Sequence, residues 1–137
     1  MKKLLVVISA LVLSANSFSS QSETYVGENF ISSDNIQKCS IKILNSSNKS
    51  ILVEVNGLTD TARSINLLKE QDNLFFGRET FEDDTYYIGG SINKFKKAVH
   101  QVSLELDNNG TPIEFTYERN IFGGGSFIDC KSLELAK

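Results

Sequence analysis

The sequence predicts an all-β chain: one antiparallel domain of about eight strands, closed into a β-barrel or folded as a two-sheet β-sandwich. Three observations carry this. Apolar and polar residues alternate along most of the chain, and the 3.6-residue helical period is hard to find. Turn-forming clusters recur at short intervals, as "NSSN" at 45–48, "NGLTD" at 56–60, "EQDN" at 70–73, "EDD" at 82–84 and "NNGT" at 108–111. Two cysteines, Cys39 and Cys130, fall on the apolar faces of an early and of the last candidate strand.

Residues 1–19 read as an export signal. Lys2 and Lys3 give a basic start, Leu4 to Leu13 is largely apolar, and small residues follow up to a cleavage site near Ser19. The remainder, 20–137, is the size of a single β domain. Removing two lysines and no acids takes the net charge from −3 to −5. A mildly acidic chain of this kind is a poor partner for nucleic acid, which is bound through basic patches. The expected location is the periplasm or the outside of a bacterial cell. There the two cysteines can form one disulfide, closing a loop of about ninety residues and contributing roughly 4–5 kcal/mol.

Candidate strands are 24–31, 39–44, 50–56, 63–69, 73–81, 85–92, 98–107, 112–119 and 126–133. Ile41 and Ile43 share a face with Cys39, and Ile51, Val53 and Val55 share one in the next strand. Residues 60–72 fit either a helix capped by Asp60 or a strand with Ile65 and Leu67 facing inward; the strand is favoured because "EQDN" then makes a hairpin. The clearest element is "HQVSLELDNNGTPIEFTYER", where Asn109-Gly110 suits a type I′ turn pairing Asn108 with Thr111. The ladder then sets Leu106 against Ile113, Leu104 against Phe115, Val102 against Tyr117 and His100 against Arg119. Glu105 faces Glu114 on the other side. From Cys39 to Cys130 this gives eight strands joined by short connections. A meander of eight can close with its first and last strands side by side, locked by the disulfide. The polar outer faces argue against a membrane-spanning barrel.

Gly123 to Gly125 lack the Lys-Ser/Thr and the helix that a phosphate loop requires, so they read as a bend or a bulged hairpin before the last strand. No catalytic set, cofactor motif or metal-ligand spacing is visible: the chain has one histidine and no GxSxG or HExxH. The acids Glu79, Glu82, Asp83 and Asp84 read as a solvated turn rather than a calcium loop. Two candidate sites stand out. His100, Tyr117 and Arg119 share one face where the apolar ladder ends, and could form a polar rim around a barrel interior that holds an anionic or amphiphilic small ligand. Lys94, Phe95, Lys96 and Lys97 form a basic loop with an aromatic tip, suited to an acidic protein surface.

The expected function is binding without catalysis. A protein-binding module, such as an inhibitor or immunity-like factor acting through its loops, is favoured because the inward residues are mostly large and would fill the interior. A small-ligand carrier is the alternative.

Overall fold

A computed structural model describes residues 21–59, 61–86, 92–121 and 124–137. The proposed export signal, Asp60, Phe122 and Gly123 lie outside the described residues. Eight strands run β1 (Glu23–Ser32), β2 (Asn35–Ser46), β3 (Ser50–Val55), β4 (Arg63–Gln71), β5 (Leu74–Tyr86), β6 (Ile92–Leu106), β7 (Pro112–Ile121) and β8 (Gly124–Leu135). Each pairs antiparallel with its sequence neighbour, and β1 pairs with β8, so the sheet closes as a barrel rather than a sandwich. Alternation supplies the interior: Ile41, Val53, Ile65, Leu67, Val102, Leu104, Phe115 and Tyr117 are buried completely or nearly so. Residues 63–71 are a strand, with Ile65 and Leu67 inward as expected.

The number of strands matches the expectation, but their identity differs in two ways. The stretch 24–31 belongs to the barrel as β1, and it lies between the strand of Cys39 and the last strand. The acidic segment 82–84 is no turn. It continues β5, which pairs with β6 from Leu74–Glu105 out to Tyr86–Ile92. Hence, of the candidate strand 85–92, Thr85 and Tyr86 belong to β5 and Ile92 to β6, while 87–91 lie outside the described residues.

The Cys39–Cys130 disulfide therefore joins β2 to β8 across β1, rather than two adjacent closing strands. Gly27 makes this crossing possible. It is the partner of Cys39 on β1, and a Cβ there would lie 3.0 Å from Cys130 Sγ and collide with the carbonyl oxygen of Lys131. Beside it the β1–β8 register shifts between Val26 and Glu28, where Ser132 takes a positive φ of 56°.

The β6–β7 hairpin has the predicted register from His100–Arg119 to Glu105–Glu114. Its turn differs. The Gly110 amide donates to the Asp107 carbonyl at 3.0 Å, and Gly110 takes a φ of 82° while Asn109 does not become positive. The loop is thus a turn followed by a left-handed glycine, and it closes one residue earlier than a type I′ turn would. A register shift between Glu105 and Leu106 absorbs the difference. Leu106 meets Pro112, and Ile113 turns outward to 37% exposure.

Candidate functional site

The barrel has two ends. The β1–β2, β3–β4, β5–β6 and β7–β8 connections lie at one, here the hairpin end; both chain termini of the barrel lie at the other. Towards the hairpin end, alternation carries five polar side chains into the interior. Arg63 lies two residues before Ile65 on β4, and Asp83 two after Phe81 on β5. His100 on β6 and Arg119 on β7 are cross-strand partners, and Tyr117 lies one inward step along β7.

These groups converge on Asp83, which is only 2% exposed. Asp83 Oδ2 accepts from Arg119 Nε at 2.6 Å and from His100 Nε2 at 2.9 Å, and Oδ1 accepts from Arg63 Nη2. On the far side of the imidazole, Tyr117 Oη lies 2.6 Å from His100 Nδ1. The edge of His100 meets Phe81 with ring centroids 5.0 Å apart, and the Arg63 guanidinium covers Phe81 at 4.8 Å.

The protonation states follow from these contacts. Burial pushes the Asp83 carboxyl up, but hydrogen bonds from Arg119, His100 and Arg63 outweigh it and hold Asp83 below the usual carboxylate range. Burial pushes His100 down, and the two guanidinium charges oppose protonation against the pull of Asp83, so His100 is held below its ordinary value. A neutral imidazole donates from Nε2 to Asp83 and accepts the Tyr117 hydroxyl proton at Nδ1. Burial first, then the Asp83 charge, push Tyr117 up to about 12.

His100, Tyr117 and Arg119 are thus brought together as the sequence suggests, but they do not rim an open mouth. His100 and Tyr117 are fully buried, and the Arg119 side chain is 15% exposed. Their polar atoms are directed at a carboxylate of the chain itself. An anionic head group in this position would have to compete with Asp83. The sequence does not mark Asp83 and Arg63 as inward-facing, because "EDD" reads as a turn and Arg63 only opens the candidate strand 63–69. Strand alternation continued by one more step in each case would have found both.

The cluster also closes a gap in the wall. The β4–β5 ladder runs only from Gln71–Leu74 to Leu68–Phe76. Beyond it, Arg63 ties β4 to β5 through the Asp83 carboxylate and the Glu82 carbonyl.

The basic stretch 94–97 is not a loop, as expected from the sequence, but part of β6, its backbone paired with Glu82 to Thr85. Lys97 is exposed beside Glu82. Gly124 and Gly125 open β8 and pair with Ile121 and Asn120, on the β8 side of the β7–β8 hairpin.

Large apolar side chains are exposed at both ends, with Leu68, Ile113 and Leu135 on β4, β7 and β8 away from the hairpin end. Phe30, Ile31, Ile36 and Phe127, each about half exposed or more (49–57%), lie at the hairpin end on β1, β2 and β8. At the opposite end a cleft of about 540 Å³ is lined by Tyr25, Ile43, Ile51, Phe75 and Leu106, with Lys69 and Asn73 at its polar margin. No group of metal-ligating side chains is found among the described residues. Comparison with known protein families, with curated proteins and with solved structures finds no match, so the fold and the Asp83 cluster stand on this chain's own residues.

Proposed function

We propose that the protein is an exported, non-catalytic binding module that engages another exported protein, as an inhibitor or an immunity-like factor does. The observation that supports it is the distribution of side chains. Large residues fill the barrel axis, and the buried Asp83 carboxylate is paired with side chains of the chain itself. Phe30, Ile31, Ile36 and Phe127 meanwhile stand in solvent together at one end, where an interface gains most from aromatic and aliphatic anchors. A disulfide across the barrel suits an oxidising compartment.

The test is co-purification of the mature protein from its own envelope fraction after mild cross-linking, set beside the triple variant Phe30→Ser, Ile36→Ser, Phe127→Ser. A stoichiometric protein partner held by the wild type and lost by the variant is expected. Equal recovery from both would overturn the assignment of this end.

The cleft at the opposite end favours a second reading, a carrier of a small amphiphilic ligand. Apolar walls and a polar margin of Lys69 and Asn73 are the form such a site takes. Native mass spectrometry of the mature protein separates the two: a retained small-molecule mass supports the carrier.

A further inference from the structure

The barrel is closed by hydrogen bonds for only part of its height between β1 and β8. Pairing runs from Tyr25–Leu135 to Asn29–Cys130 and stops. The Asn29 side chain ends the ladder, its Oδ1 accepting from the Asp129 amide at 3.3 Å. Beyond this point the β1–β2 hairpin leaves the wall. Residues 30–38 are all exposed, Phe30 still pairs with Ile36, and a bulge at Ile31 bends the ribbon. On the other side of the opening, Gly124 to Phe127 are exposed as well.

The direction of the β8 backbone follows from its pairing. Ile121 and Gly124 flank the β7–β8 connection, and the Asp129 amide points at β1. Alternation then turns the N–H and C=O groups of Phe127 and Gly125 into the opening too, away from β7. Among the described residues this strand edge has no ladder partner, unlike the β4–β5 gap that Arg63 and Asp83 fill.

We propose, resting on the protein-binding reading above, that this seam takes an extended segment of a partner protein as an added strand along β8. Three features define the occupant. The edge offers alternating backbone donors and acceptors, which only an extended polypeptide matches along its length. The groove of about 390 Å³ beside it is lined by Ile31, Leu58, Phe127 and Ile128 among polar side chains such as Gln37 and Asn56, and the four apolar residues suit an apolar side chain at every second position. The charges bordering it pair with one another, Lys38 with Glu28 and Lys131 with Asp129, which leaves a seam without charge bias and selects an uncharged segment.

The test is selection of a displayed library of random peptides against the mature, oxidised protein, followed by affinity measurement on the enriched sequences. Enriched peptides should alternate apolar residues, and N-methylation should abolish binding at every second peptide bond only. Phe127→Ala should weaken binding about tenfold, and Phe127→Pro, which also removes the amide, about tenfold more. Both variants are checked for the disulfide and the far-ultraviolet strand signal; the N-methylated peptides test the edge without altering the protein. No enrichment would overturn the proposal. Peptides that bind but ignore N-methylation and Phe127→Pro would also overturn it, while leaving the protein-binding reading intact. A wild-type dimer in sedimentation that Phe127→Pro dissolves would overturn it in favour of pairing between two copies.

Discussion

Asp83 is the residue on which the hairpin end depends. Its carboxylate ties together β4, β5, β6 and β7 through Arg63, His100 and Arg119. Asp83→Asn leaves two largely buried guanidiniums without a counter-charge. It should cost about 3–5 kcal/mol in urea unfolding, whereas Tyr117→Phe, which removes one hydrogen bond to a neutral ring, should cost about 1 kcal/mol. The same groups set the response to acid. His100 titrates below its ordinary 6.5 in the folded chain, so the unfolded chain takes up the proton first. Stability is then full above 6.5 and declines as pH falls below it. The Asp83 contribution is present above 3.8 and is lost as pH falls through its lower folded value. Both terms have the same sign, so acid unfolding should proceed in two stages. His100 is the sole histidine. Unfolding free energies of His100→Gln should therefore be lower at neutral pH and nearly flat through the first stage; a wild-type slope there would assign it to other groups. On the outer face, Glu105 opposes Glu114, whose carboxyl is pushed up by burial and by that neighbour. Glu105→Lys should raise stability at neutral pH by about 0.2–1 kcal/mol.

At the scale of elements, β1 is the strand most dependent on its context. It is bridged over by the disulfide, bulged against β8 and held by β2 alone beyond Asn29. Replacing both cysteines with alanine should cost roughly 4–5 kcal/mol, the entropy of a long loop released into the unfolded chain. Gly27→Ala adds a methyl group against the Lys131 carbonyl oxygen and the disulfide sulfur. It should therefore unseat β1 from β8, and hydrogen exchange at Tyr25 to Glu28 should accelerate while exchange in β6 and β7 stays slow. Equal acceleration throughout would mean that the barrel opens as one unit.

For the whole molecule, closure is uneven around the wall. Two neighbouring pairs of strands part towards the hairpin end. Between β4 and β5 the Arg63–Asp83 pair fills the opening; between β1 and β8 one asparagine closes its lower edge and the remainder faces solvent. Exposed edges carry a hazard of aggregation, which folded proteins usually blunt with charge or proline. Here the exposed residues at the edge include Ile31 and Phe127. On the proposal above, a partner strand would cover this edge and remove the hazard.

Most of the inward-facing residues are legible in the sequence. Period-two alternation and turn chemistry are local, so Ile41, Ile65, Leu104 and Tyr117 were placed correctly, as was the His100–Arg119 pairing. The all-β class and the disulfide followed from the same pattern. Closure is settled by the folded barrel, because strand order around the wall depends on contacts between distant segments. It put β1 between the cysteines' strands, which no local signal specifies. It also carried Asp83 inside, since three acids in a row look like a turn until two arginines and a histidine from other strands surround them. A buried carboxylate is stable only where its partners meet, and that meeting is a property of the closed barrel.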